Sequence, residues 1–78
     1  MLYTPEIVEE LNVLVRYNLT TTQEGIKVHK NADPNVIAAT LRLFHKGLVT
    51  QEDGGYLTAL GRETAEHVQA ALDILTAA

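Results

Sequence analysis

Three histidines and several paired carboxylates are the side chains of this 78-residue sequence with the most obvious chemistry. His29, His45 and His67 fall in different segments, with no histidine pair at helical spacing and no cysteine to join them. A zinc site gathers about four such ligands at short, regular spacings. The pattern therefore predicts structural or surface histidines and no metal. Glu9-Glu10 and Glu63-Glu66 are paired carboxylates, but general acid–base work needs a sheltered pocket that tunes their pKa. On so short a chain they read as solvated faces. Gly54-Gly55 reads as a turn, since no strand–glycine-rich–helix unit with a Lys-Ser/Thr pair surrounds it. No nucleophile stands beside a positioned base. The expectation is a protein that is not an enzyme and uses no cofactor.

The charges carry more information than the acids and bases taken singly. The net charge of −4 argues, as a whole, against nucleic acid. Its distribution argues otherwise. Residues 1–20 hold −2, residues 21–50 hold +2 and residues 51–78 hold −4. A basic middle, with Lys27, Lys30, Arg42 and Lys46, lies between two acidic ends. The apolar fraction of 46% and charged fraction of 21% are those of an ordinary globular chain, not a disordered one. Its length allows one small domain, 1–78, with a thin core and no disulfide to reinforce it. No apolar run approaches the roughly 18 residues of a membrane span, and Met1 to Pro5 lacks the pattern of a signal peptide. A cytoplasmic protein with no membrane contact is the simplest expectation.

Local signals then define the elements. Thr4 caps and Pro5 opens a helix over 5–17, with Ile7, Leu11, Leu14 and Asn18 at helical spacing. Thr21-Thr22-Gln23-Glu24 matches a capping box, which predicts a short helix over 22–29. Ile26 and Val28, two apart, make a strand the competing reading there. Asp33 and Pro34 start a helix over 34–46, and Gly47 stops it in the left-handed conformation with Leu48 packing back on Leu43. Its outer stripe is read as Asn35, Ala38, Arg42, His45 and Lys46, opposite Ile37, Leu43 and Phe44. Residues 48–58 form a hairpin turning at Asp53-Gly54, which would pair Gln51 with Tyr56 and Val49 with Thr58. Thr58 caps a last helix over 59–76. The predicted class is mainly α with a small β-hairpin. In the order helix, short helix, helix, hairpin, long helix, it is the winged helix-turn-helix arrangement.

The residues themselves carry a resemblance as well. Leu43-Phe44-His45-Lys46-Gly47-Leu48-Val49, a hairpin, and then Tyr56-Leu57-Thr58-Ala59-Leu60-Gly61-Arg62 resemble the stretch through the wing of bacterial MarR- and PadR-type regulators. The likeness covers roughly residues 20–66. The whole chain, including Thr22 to Val28, is similar to a small family of uncharacterised bacterial proteins described as DNA-binding. The resemblance implies a transcriptional regulator that places helix 34–46 in the major groove of double-stranded DNA. Asn35 would then suit adenine and Arg42 guanine, while Lys27, Lys30 and Lys46 would serve phosphates, with Thr22 alongside them. A solvated or protein-contacting face is the alternative for the same residues. The hairpin departs from the pattern, because Glu52 and Asp53 at its tip would repel phosphate. A winged-helix module that binds a protein partner and not DNA is therefore the competing function.

The last helix is apolar on two sides. Gly61, Ala65, Val68, Leu72 and Leu75 form one stripe, which can cover the domain's own core, and His67, Ala70, Ala71, Ile74 and Ala78 form the other. A helix apolar on two sides has two faces to bury. The expectation is a homodimer joined through Val68, Ala71, Ile74 and Leu75, the alternative being an alanine-rich stripe that stays wet.

Overall fold

The structure, a computed structural model, describes residues 2–77. Six elements follow one another: α1 (Pro5–Leu14), β1 (Ile26–Lys27), α2 (Pro34–His45), β2 (Val49–Gln51), β3 (Gly54–Leu57) and α3 (Ala59–Thr76). Three helices thus accompany a small antiparallel sheet of order β1-β3-β2. Val13, Leu14 and Tyr17 from the first helical segment meet Ala39 and Leu43 of α2, Val49 of β2 and Ala65 of α3 in a single core.

The helix starts are local and fall where the capping residues put them. Thr4 Oγ1 accepts from Ile7 N at 3.2 Å, Asp33 Oδ1 from Asn35 N at 2.8 Å, and Thr58 Oγ1 from Gly61 N at 3.0 Å. Each satisfies a backbone donor that the first turn of a helix leaves unpaired. The end of α2 is also local. Gly47 has φ +79°, its N–H reaches Phe44 O at 3.0 Å, and Leu48 N reaches Leu43 O at 2.9 Å. That pair of bonds is the Schellman ending.

Three expectations are corrected. The first helix ends at Leu14, not at residue 17. Tighter bonds follow it, from Arg16 N to Val13 O and Tyr17 N to Leu14 O, and Gln69 Nε2 of α3 donates to the Leu14 and Tyr17 carbonyls at 3.3 and 2.9 Å. Residues 22–29 form no helix, and the competing strand reading holds at Ile26–Lys27. Asn18 and Thr21 side chains bind the nearby Thr20 and Gln23 N–H groups, an alternative to helix that such residues often supply. Arg62 of α3 takes the Leu19 and Thr21 carbonyls at 3.0 and 2.8 Å, which in a helix would accept from residues 23 and 25.

The hairpin forms in a different register. Val49 pairs with Leu57 and Gln51 with Gly54, with an irregularity between them. Glu52 and Asp53 make the turn, and the positive φ falls on Gly54 (+121°) and Gly55 (+71°) instead of on Asp53. An aspartate pays a steric penalty at positive φ that glycine avoids. Thr50 Oγ1 accepts from Tyr56 N at 2.9 Å across the irregularity. Gly54 and Gly55 also pair with Lys27 and Ile26 of β1, and Val28 N reaches Asp53 O at 2.8 Å.

Candidate functional site

The surface of α2 is set by how it packs on α1. Glu10 is 5% exposed although it is charged, because α1 turns Glu10, Val13 and Leu14 inward together, with Tyr17 following in the turn beyond it. Its two carboxylate oxygens each hold one cation of α2. Arg42 Nε donates to Oε2 at 2.9 Å, and Lys46 Nζ donates to Oε1. Arg42 Nη2 also donates to the Glu6 carbonyl at 3.1 Å. Burial pushes the Glu10 carboxyl up, but hydrogen bonds and charge from Lys46 and Arg42 outweigh it and lower its pKa from the ordinary glutamate value. It stays ionised at neutral pH.

This corrects the stripe read on helix 34–46. Arg42 and Lys46 do not stand free on a face opposite the core; they lean onto α1 and bind it. Ala38, Leu41 and His45 are exposed on α2. Glu10, read from the sequence with Glu9 as a solvated paired carboxylate, is instead buried and ion-paired. The spacing 10, 13, 14, 17 does carry the signal, since it is an inward helical stripe with a carboxylate at its head.

The other expected DNA contacts lie apart from that seam. Thr22 is exposed in the loop before β1, Lys27 is exposed on β1 and Lys30 is exposed in the turn after it. Lys27, His29 and Lys30 border a groove of about 620 Å³ whose floor includes Val28, Ile37 and Leu41. Glu52 and Asp53 border the same groove, so its rim carries both signs. Asn35, exposed on the first turn of α2, shares a small hollow with Glu6 and Glu9. The six residues therefore do not gather into one basic strip. Among the described residues no three histidine, aspartate or glutamate side chains come together to hold a metal ion.

The α3 surface divides along its length. Gly61 and Ala65 are buried and Val68 is half-buried against the core. Val68 thus packs on the domain's own core, as the stripe through Gly61 and Ala65 expects, and only its half-exposed edge is left for the interface read on it. Residues 70–77 are all exposed, and Leu72, Ile74 and Leu75 are 44%, 76% and 82% exposed. The exposure of Leu72 and Leu75 corrects their place in the core-covering stripe, because the body ends before them; Ala71 and Ile74 are also exposed, and Ala78 lies outside the described residues. No described helix is long and apolar enough to cross a membrane.

A family model matches residues 1–76. The chain belongs to DUF5669, a family of unknown function. Neither the curated proteins nor the solved structures yielded a match.

Proposed function

We propose that this chain is a non-catalytic binding module of winged-helix type that acts through protein contacts and pairs with a second copy of itself. One observation carries the reading: α3 runs past the body, leaving residues 70–77 exposed with Leu72, Ile74 and Leu75 among them. Leu72 and Leu75 on one side and Ile74 on the other leave apolar surface open around this end, the kind of surface that association covers. The segment holds a single charge, Asp73, so nothing in it selects an oppositely charged partner. Ala70 and Ala71 let a second helix approach closely, and small domains often gain stability by association. Sedimentation equilibrium tests the pairing. Wild type should be a dimer at high micromolar concentration and Ile74→Glu a monomer with unchanged helicity. A monomeric wild type would sink the proposal.

Double-stranded DNA is the second reading, favoured by Lys27 and Lys30, which are exposed and make no ion pair among the described residues. The order α1-β1-α2-β2-β3-α3, with β1 beside the hairpin, is compatible with a winged-helix domain even without a helix at 22–29. Against it stand the Glu10 contacts of Arg42 and Lys46 and the acidic tip at Glu52 and Asp53. Binding of a random-sequence duplex at about 50 mM salt, where phosphate contacts are strong, decides between the two. A Lys27→Glu/Lys30→Glu variant should abolish any binding seen.

A further inference from the structure

The groove between β1, the hairpin turn and α2 measures about 620 Å³. That lies within the roughly 300–1,000 Å³ of ordinary ligand sites. Its floor is apolar: Val28 is buried, Ile37 is half-buried and Leu41 is left 40% exposed. Its edges carry opposite charges, with Lys27 and Lys30 on the β1 side and Glu52 and Asp53 on the turn side. Yet no ion pair forms across the groove among the described residues. The opposed charges are separated by the open floor. On the β1 side, the N–H groups of His29, Lys30 and Asn31 donate to no backbone carbonyl among the described residues.

These features select among occupants. A nucleic-acid backbone would gain at Lys27 and Lys30 but would meet Glu52 and Asp53 across the groove. A wholly apolar ligand would cover Ile37 and Leu41 but desolvate charges of both signs without pairing them. The free end of α3 from a second copy brings one charge, Asp73, and matches only one edge. An extended peptide matches every feature. Its apolar side chains cover the floor, a carboxylate meets the lysines, a cation meets Glu52 and Asp53, and its carbonyls accept from the unpaired N–H groups. We propose that this groove docks an extended peptide whose apolar residues lie between an acidic residue and a basic one. The site rests on the reading of the chain as a module that acts through protein contacts, and it is separate from the pairing of α3.

Titration of the ¹⁵N-labelled chain with capped synthetic peptides tests it. The probe has a leucine run between a glutamate pair and a lysine pair. Its controls carry glutamates at both ends, lysines at both ends, or serines in place of the leucines. Saturable shifts of the amides of residues 27–31 and 37–41 are expected with the probe. Its midpoint should lie roughly three- to tenfold below that of either like-charged control. The serine control should give no saturable shift. Lys27→Glu/Lys30→Glu makes both edges acidic, so the lysine-ended peptide should then bind best. Leu41→Gln, at a side chain already partly exposed, should raise the probe's midpoint roughly threefold or more in a folded domain. No saturable shift with the probe, equal midpoints for probe and controls, or an unchanged order in the folded lysine variant would overturn the site. So would shifts of the same amides by a random-sequence duplex and not by the probe, which would mark a nucleic-acid surface. Shifts confined to residues 70–77 would also overturn it while supporting protein contact at the end of α3. Sedimentation of wild type and Ile74→Glu reads that pairing separately, so failure of the groove and failure of the pairing are distinguishable.

Discussion

The seam between α1 and α2 and the free end of α3 reverse the usual placement of residues. At the seam a carboxylate is 5% exposed, while at the end of α3 an isoleucine and a leucine are 76% and 82% exposed. Charged side chains are seldom buried without partners, and large apolar ones are seldom left in water together. The difference lies in whether the chain supplies the missing partner. Glu10 finds Arg42 and Lys46 within the same molecule, so the seam is complete. Leu72, Ile74 and Leu75 find no covering element among the described residues, so that end is left open. A buried charge that is satisfied holds structure together, and it is the uncovered apolar end on which the proposed pairing rests.

The largest effect should come from detaching α3 where it is docked. A Cβ on Gly61 would fall on the carbonyl of Leu48, a backbone group that cannot swing aside. Gly61→Ala should therefore cost about 4 kcal/mol or leave the chain unfolded, as read by urea denaturation. A small loss would mean that α3 is as loosely held at its start as at its end, and the contrast would break.

Arg42→Ala comes next. It leaves the Glu10 carboxylate with Lys46 alone. Because Arg42 is partly exposed, the cost should be about 2 kcal/mol, below that of breaking a sealed pair. Arg42→Ala joined to Glu10→Leu should recover part of it, since the unpaired buried charge is then gone. A loss within about 0.5 kcal/mol for Arg42→Ala would place the seam among ordinary surface pairs.

The pH dependence sharpens the same point. The Glu10 pKa is lowered on folding, so its contribution is present above the unfolded glutamate value of about 4.3 and is lost as pH falls through the folded value. Burial raises the Tyr17 pKa to about 12, while its hydroxyl donates to Gly55 O at 3.1 Å. That contribution is present below about pH 10 and is lost as pH rises toward the folded value. Urea midpoints followed across pH should fall at both ends. Glu10→Gln should flatten the acid limb and Tyr17→Phe the alkaline limb.

The smallest effect belongs to the free end. Leu75→Gln should change the stability of the monomer by less than about 0.5 kcal/mol, because no described element covers Leu75. At concentrations where wild type is paired, the same change should lower the apparent stability, since association stabilises only the folded form. Equal effects at low and high concentration would remove the distinction between the two regions.

How far the sequence could be read follows from the range of each interaction. The three helix starts at Thr4, Asp33 and Thr58, and the stop at Gly47, were legible because each depends on bonds spanning only a few residues. The hairpin was legible as a hairpin, but its register was not. Asp53-Gly54 fits a two-residue turn by itself, whereas pairing with β1 and the Thr50–Tyr56 contact settled which residues turn. On α3 the core-covering stripe was legible at Gly61, Ala65 and Val68 but not at Leu72 and Leu75, since only the body beneath α3 shows where its cover ends.

By itself the sequence determined where helices begin, which segments are β-prone and that one small apolar core can form. These are consequences of capping geometry, glycine conformation and periodicity, all contained within a few residues. Tertiary structure decided the rest. The capping box Thr21 to Glu24 signals a helix over 22–29, yet Arg62 and Gln69 from α3 take the carbonyls of Leu14, Tyr17, Leu19 and Thr21 across 41 to 55 positions. Arg42 and Lys46 have the chemistry to face outward, yet Glu10, 32 and 36 residues earlier, holds them to α1. In both places a charged or amide side chain competes with water and local backbone for the same groups. Only the packing of the helices brings that competitor within reach.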